Sequence, residues 1–451
     1  MKTIIALFSL LFSLASTAQV WSTLSDMALS SNDIRQFSVY GDVLYIGSNV
    51  SLLNSMPTSG VFTYDSLDFQ LLSSAPAPCY DFEVRDTVVF VVGEFLNVDN
   101  IPGTGGIAAL TSNGWETVGG GGSSPGECAW FQNKLYVSND FNVMGELTEV
   151  FGFACWDGTS WSAPESVYGF DVGPRVMCVF NGELIGGGDI DLTTEGVPIN
   201  NVARFDGTHW YDMNGGMSGT VQALYPDEEL GILYVAGNGS LAQFGDVSCP
   251  NNVVAWDGNS WSPVGTFNDI NYDIKALTKY RGQLYAGGYF QLNNVTEKLA
   301  YFDGVHWKPV PLAGTIEGSV NTLTVYKDQL YVGGTFPEIG GLEVPGLARY
   351  FLDPDSVQWG VPDTTDVVEK IKNNHFNVFP NPAGDHITIQ FDRAADGELL
   401  VTDLNGKTLW KEALAGRKNI RIETSHLSRG TVFVNWINGV RICKSRKVVL
   451  N

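Results

Sequence analysis

The chain has 451 residues, and 49 Asp+Glu against 26 Lys+Arg leave a net charge of −23. A body this acidic repels phosphate, which argues against a nucleic-acid or anionic-membrane partner. Five histidines, and six cysteines with no C-x-x-C pair, leave little for a His-rich or thiolate metal centre.

The first residues read as a secretory signal, with Lys2 as charged start, Ile4 to Leu14 as apolar core and Ser16-Thr17-Ala18 as cleavage site, so residues 1–18 are expected to be removed. That core is too short to span a bilayer, and no later stretch approaches the roughly 20 apolar residues of a membrane helix. Export is therefore expected, with no transmembrane segment.

The next 344 residues, 19–362, are built on one unit, clearest between Ile274 and Val310. Ile274 to Tyr280 reads as a strand, Arg281-Gly282 as a turn and Gln283 to Tyr289 as a second strand. Lys298 to Phe302 make a third, Asp303-Gly304 turn the chain, and Val305 to Val310 return it. Asp-Gly between apolar runs predicts a tight two-residue hairpin turn. The second-strand signature recurs around residues 45, 90, 136, 185, 234, 285 and 331, at spacings of 45 to 51. Four strands in a period of this size describe a propeller blade, and seven recurrences predict seven blades. The second hairpin has its own mark: Trp156-Asp157-Gly158 with Trp161, Phe205-Asp206-Gly207 with Trp210, Trp256-Asp257-Gly258 with Trp261, and Phe302-Asp303-Gly304 with Trp307. Glycines after the second strand, such as Gly287-Gly288 and Gly333-Gly334, suit close backbone approach where blades crowd. The paired aromatics are expected to pack one sheet on the next. Val20-Trp21-Ser22 reads as a stray fourth strand; it, or Val357 to Trp359, is expected to complete the last blade, with the N-terminal strand preferred.

Apolar strand, Gly-Gly, loop and aromatic-Asp-Gly-x-x-Trp together resemble kelch-type repeats and the related repeats of secreted Bacteroidetes proteins. The resemblance covers roughly Ile34 to Trp359 and implies an all-β, seven-bladed propeller with four-stranded antiparallel blades. It does not imply one activity, because propellers carry many.

Candidate chemistry is sparse. His209 and His306 share one repeat position and read as structural, so no Ser-His-Asp set and no cofactor site is expected. Asp157, Asp206, Asp257 and Asp303 read as turn residues. The repeat leaves two acidic clusters unexplained: Asp189, Asp191 and Glu195, the only metal candidates, and Asp227-Glu228-Glu229. Oxygen-rich loops offer calcium ligands, yet the spacing fits no recognised calcium loop, and solvated acids are the expected reading. Most cysteines are expected to be small buried residues. The variable loops between second and third strands are expected to form the recognition face, each anchored by an entering Phe (Phe95, Phe141, Phe290, Phe336).

A linker at 363–374 precedes a basic tail: residues 371–451 hold 12 Lys+Arg against 7 Asp+Glu, while the preceding 370 hold 14 against 42. Alternating apolar runs at Ile387 to Phe391, Leu399 to Thr402 and Val432 to Trp436 predict a small antiparallel β-sandwich over 375–451. Pro380-Asn381-Pro382, Asp403-Leu404-Asn405-Gly406 and Leu427-Ser428-Arg429-Gly430 resemble the type A sorting domain of type IX secretion. That resemblance implies passage through the periplasm to a secreted or outer-membrane-surface location, with the secretion machinery as partner. The expected function is a binding or scaffolding module for a glycan, peptide or surface partner; a carboxylate-based carbohydrate-active enzyme and a structural adhesion component are the alternatives.

Overall fold

The computed structural model describes residues 21–22, 33–350 and 376–450, apart from short stretches inside those ranges. The signal segment 1–18, the linker 363–374 and Val357 to Trp359 lie outside the described residues. No helix among the described residues is long and apolar enough to cross a membrane.

From Trp21 to Tyr350 the chain forms seven four-stranded antiparallel sheets among the described residues, six of them simple meanders. The sixth, for example, runs Ile270–Tyr280, Gln283–Leu292, Val295–Phe302 and Trp307–Pro309. The first strand of each sheet packs on the first strand of the next, and that of the seventh, Val320–Tyr326, packs on Ile34–Tyr40 of the first, so the order closes on itself. This is a β-propeller with its first strands innermost. A four-stranded sheet alone cannot cover two apolar faces, so the buried clusters straddle neighbours. Ile34, Phe37, Leu44 and Phe62 of the first sheet pack with Tyr326, Tyr331 and Leu347 of the seventh.

Closure comes from the N-terminus. Trp21–Ser22 pairs with Leu347–Tyr350 as the outer strand of the seventh sheet, and the Trp21 ring lies 4.8 Å from that of Tyr350. The Gly pair acts as expected, each residue differently. A Cβ on Gly333 would lie 2.6 Å from Ile34 of the adjoining sheet, and one on Gly287 would lie 2.4 Å from Val320. A Cβ on Gly334 or Gly288 would instead strike the carbonyl of Ser319 or Asp273 at 2.1 Å, beside a bulge in the sheet's own first strand.

The second-hairpin turns differ from the two-residue expectation: at Asp157, Asp206, Asp257 and Asp303 alike the loop has four residues. Arg281 and Gly282 do both adopt positive φ, the primed geometry of a tight hairpin. At Asp303-Gly304 only the glycine does, and the loop has four residues, since Phe302 pairs with Trp307. The Asp side chain closes this wider loop: Asp303 Oδ1 accepts from the N–H of Val305 (2.9 Å) and His306 (2.7 Å). Asp157 caps Thr159 and Ser160 in the same way, and those N–H groups pull its carboxyl down to about 2. Each flanking Trp also ties sheets together, with Nε1 donating to the exit loop of the preceding sheet: Trp161 to Val118, Trp210 to Glu165, Trp261 to Met213, Trp307 to Val264, at 2.6 to 3.1 Å.

The tail is a separate two-sheet unit. Phe376–Phe379, His386–Ala395 and Arg417–Glu423 form one sheet; Glu398–Thr402, Thr408–Ala413, Gly430–Asn438 and Arg441–Leu450 form the other. Alternating residues such as Ile387, Ile389, Leu399, Val401, Val432 and Val434 fill the core between them. Asn381 of the Pro-Asn-Pro opening accepts from Val449 N (2.9 Å), joining the domain's start to its last strand.

Candidate functional site

In each meander the loops between second and third strands and the links to the next sheet emerge at one end of the ring. Several exposed apolar side chains lie there, Leu96, Phe151, Tyr168, Tyr272, Tyr289 and Val295, while Tyr40, Tyr211 and Val305 are exposed at the other end. The entering residues Phe95, Phe141, Phe290 and Phe336 are buried, anchoring those loops as expected.

The sixth sheet has the longest first and second strands of the ring among the described residues. Its first two strands have 11 and 10 residues, and beyond the bulge at Ile274/Ala276 they continue as Ile270–Asp273 paired with Tyr289–Leu292. Ile270, Phe290 and Leu292 bury one side of this extension. Tyr272 stands opposite buried Phe290, yet its ring is 51% exposed and its φ is +77°, a region a bulky residue rarely adopts. Asn252, buried in the preceding sheet, holds that conformation by donating to the Tyr272 carbonyl (2.7 Å). Tyr289, 55% exposed, carries the Lys298 ammonium 3.1 Å from its ring centroid. Between the two tyrosines Asp273 faces Lys275 (3.8 Å), and its other carboxylate oxygen is buried without a partner. Lys298 is itself buried beneath the Tyr289 ring, so beside the two exposed rings the groups open to a ligand are the Lys275 ammonium and the partly exposed Asp273 carboxylate, which can exchange hydrogen bonds while a ring stacks on an apolar face.

A concavity lies at the opposite end, between the fourth and fifth sheets. It has a volume of about 330 Å³ and is lined by Asn181, Glu183, Arg204, Asp212, Asn214 and Asn259 among others. At other interfaces the first-hairpin turn reaches the next sheet's second-hairpin turn: Gln132 Nε2 donates to Asp206 O (2.9 Å) and Lys327 Nζ to Asp65 O (2.8 Å). At this joint Asn181 is the turn residue, its Nδ2 3.5 Å from where a Cβ on Gly258 would stand, so the missing side chain of Gly258 leaves the space open.

The sequence candidates separate. Asp189 belongs to a network in which Asp171 accepts from both the Arg175 guanidinium and Asp189 N (2.8 Å); burial, then Asp171 and Asp191, push the Asp189 carboxyl up. Asp191 is exposed. Glu195 instead lies beside Glu165 and His209, with ligand atoms of all three within 4.8 Å, the one such trio of metal-ligating side chains among the described residues. Asp227 is not a solvated acid: it is buried and paired with Lys279 of the next sheet (2.8 Å). Cys79, Cys128 and Cys155 are buried free thiols, and Cys178 is half-buried and free.

Sequence reasoning missed the carboxylates of the innermost strands. At one register position the seven strands carry Gln36, Asp81, Glu127, Val176, Ala223, Ala276 and Thr322. Asp81 accepts from Gln36 Nε2 (2.8 Å) and Cys128 N (2.9 Å), Glu83 from Trp130 N (3.3 Å) and Glu127 from Met177 N (3.1 Å). These acids join consecutive sheets. Burial raises all three carboxyls; Glu83 is pushed up to about 7 by burial and then by the Asp81 charge, and Asp81 also adds to the rise at Glu127. Acids in an otherwise apolar first strand were the available signal.

No curated protein matches the sequence. Among solved structures, a computationally designed protein aligns at TM-score 0.41 and 11% identity over 72% of this chain and 98% of its own. The extracellular domain of a hybrid two-component system from B. thetaiotaomicron aligns at 0.44 and 11% identity over 96% of this chain and 57% of its own. The β-propeller domain of the Trilobed protease from Pyrococcus furiosus aligns at 0.28 and 10% identity over 67% of this chain and 98% of its own. Residues 377–451 match the family described as the secretion system C-terminal sorting domain, so a β-propeller here is joined to a type IX sorting tail that engages the secretion machinery and directs the protein to the cell surface or beyond.

Proposed function

We propose that the exported propeller is a glycan-binding module whose ligand face is the loop end of the ring, centred on Tyr272 and Tyr289, and that it reaches that location through the periplasm. The observation that carries this reading is the long extension of the sixth sheet's first two strands, which holds Tyr272 and Tyr289 exposed beside Asp273 and Lys275. Exposed rings rimmed by polar groups mark interaction sites where they form one patch. Sugar rings offer an apolar C–H face for stacking and hydroxyls for the carboxylate and ammonium groups, so both halves of the site are engaged by one ligand class. The strained backbone of Tyr272 supports the reading too, because a conformation costing about 1–3 kcal/mol persists where a side chain must be aimed.

The test is a glycan and polysaccharide array with the full chain, alongside Tyr272→Ala and Tyr289→Ala. A saturable hit that falls at least about tenfold in each variant, with the thermal midpoint unchanged, is expected. A blank array, or a hit indifferent to both substitutions, would overturn the assignment; hydrolysis of a bound glycan would make the module an enzyme.

A further inference from the structure

We propose that Glu165, Glu195 and His209 form a binding site for one divalent transition-metal ion of the zinc type, clamping the exit of the third sheet to the fourth. The three side chains come from separate segments: Glu165 from the link after Trp161–Ser162, Glu195 from the turn after Ile190–Thr193, and His209 from the turn before Trp210–Asp212. Each is positioned by bonds that do not involve the others. Ser166 N donates to Thr194 Oγ1 (3.3 Å) and Thr194 N to Ser166 O (2.9 Å), which sets the glutamates side by side. Asp206 Oδ1 accepts from His209 N (2.9 Å) and fixes the histidine turn.

The repeat shows that Glu165 is out of place as a structural residue. Its carbonyl accepts the Trp210 indole, the role played elsewhere by Val118, Met213 and Val264, all buried and apolar. A glutamate here leaves a carboxylate with only 6% exposure, held by Trp210 N (2.8 Å) and facing His209 Nδ1 at 3.3 Å. Burying a carboxylate where the fold accepts Val or Met is costly unless a cation answers it. Two ligands on a tetrahedral ion at ~2.0–2.1 Å stand about 3.3 Å apart, which is the separation already present between Glu165 and His209. Glu195 is exposed and its carboxylate lies within 4.8 Å of the other two ligand atoms, so it must close by up to about 1.5 Å to complete the set. One imidazole and two carboxylates suit zinc, with water at the fourth position. Calcium prefers six or more oxygens and gains nothing from an imidazole.

The experiment is calorimetric titration of the full chain, freed of metal with chelator, with zinc chloride and separately with calcium chloride. One zinc per chain and a raised thermal midpoint are expected, with affinity lost by about tenfold or more in His209→Ala and in Glu195→Gln. Glu195 is exposed, so that variant tests the site without disturbing the fold. His306→Ala, at the equivalent repeat position of the sixth sheet, is expected to bind zinc like the parent chain. Absence of saturable zinc binding, or binding that survives both His209→Ala and Glu195→Gln, would overturn the assignment. Calcium binding that matches zinc and persists in His209→Ala would overturn it as well, because the site would then be an oxygen-only one.

Discussion

Glu83→Gln isolates the cost of the acids on the innermost strands. The Glu83 carboxyl is raised from the ordinary 4.5 to about 7, first by burial and then by Asp81, while Oε1 accepts from Trp130 N. A carboxyl raised in the folded state stabilises it fully below the unfolded value, and that stability is lost as pH rises through the folded value. The relevant window runs from 4.5 to about 7. At ~1.4 kcal/mol per pH unit this amounts to about 3 kcal/mol lost between mildly acidic and mildly alkaline solution. Glutamine keeps the acceptor for Trp130 N and removes the charge, so it removes the pH-dependent part alone. For a propeller of about 330 residues, with an unfolding entropy of ~2.1 cal/mol/K per residue, 3 kcal/mol corresponds to about 4 °C. The assay is the thermal midpoint of parent and variant from about pH 4 to pH 8 at fixed ionic strength. The curves should nearly coincide at the acid end and separate towards pH 8, with the variant higher by about 4 °C. Parallel curves, or a variant less stable at pH 8, would refute the reasoning, since the buried charge would then not be the destabilising element.

Two further perturbations address closure and crowding. Trp21→Ala removes a 2%-exposed ring from the strand that completes the seventh sheet, and at about 3–5 kcal/mol for a buried tryptophan the midpoint should fall by roughly 4–7 °C; an unchanged midpoint would mean the ring closes without it. Gly333→Ala places a Cβ 2.6 Å from Ile34 and 2.7 Å from Phe37 across the joint between the seventh and first sheets, so a loss of about 1–3 kcal/mol is expected in chemical denaturation, and none is expected if that joint is loose.

The repeat was legible because each element is local. A turn, an alternating strand and a glycine at its end are set by residues a few positions apart, and their return every 45 to 51 residues announces the propeller without any long-range information. Trp21 could be placed in the last sheet for the same reason, since Trp-Ser is the outer-strand pattern wherever it occurs. The Pro-Asn-Pro opening and alternating strands of the tail were equally local. The four-residue loop at Asp303 was misread because Asp-Gly serves both turn types, and only the pairing of Phe302 with Trp307 distinguishes them.

What comes together at the loop end of the ring and in the trio Glu165, Glu195 and His209 is set across the fold. Asp189, Asp191 and Glu195 look like one cluster in sequence, yet the hairpin they occupy sends Asp189 towards Arg175 and Glu195 towards His209. Glu165 meets His209 across 44 positions, and Asp81 meets Cys128 across 47, separations close to one repeat. A residue at the end of one unit lies beside a later element of the next because sheets stack around a ring. Local pattern reports which strands exist and which face is apolar. Which charges are brought together depends on the stacking of whole sheets, and that only the tertiary structure decides.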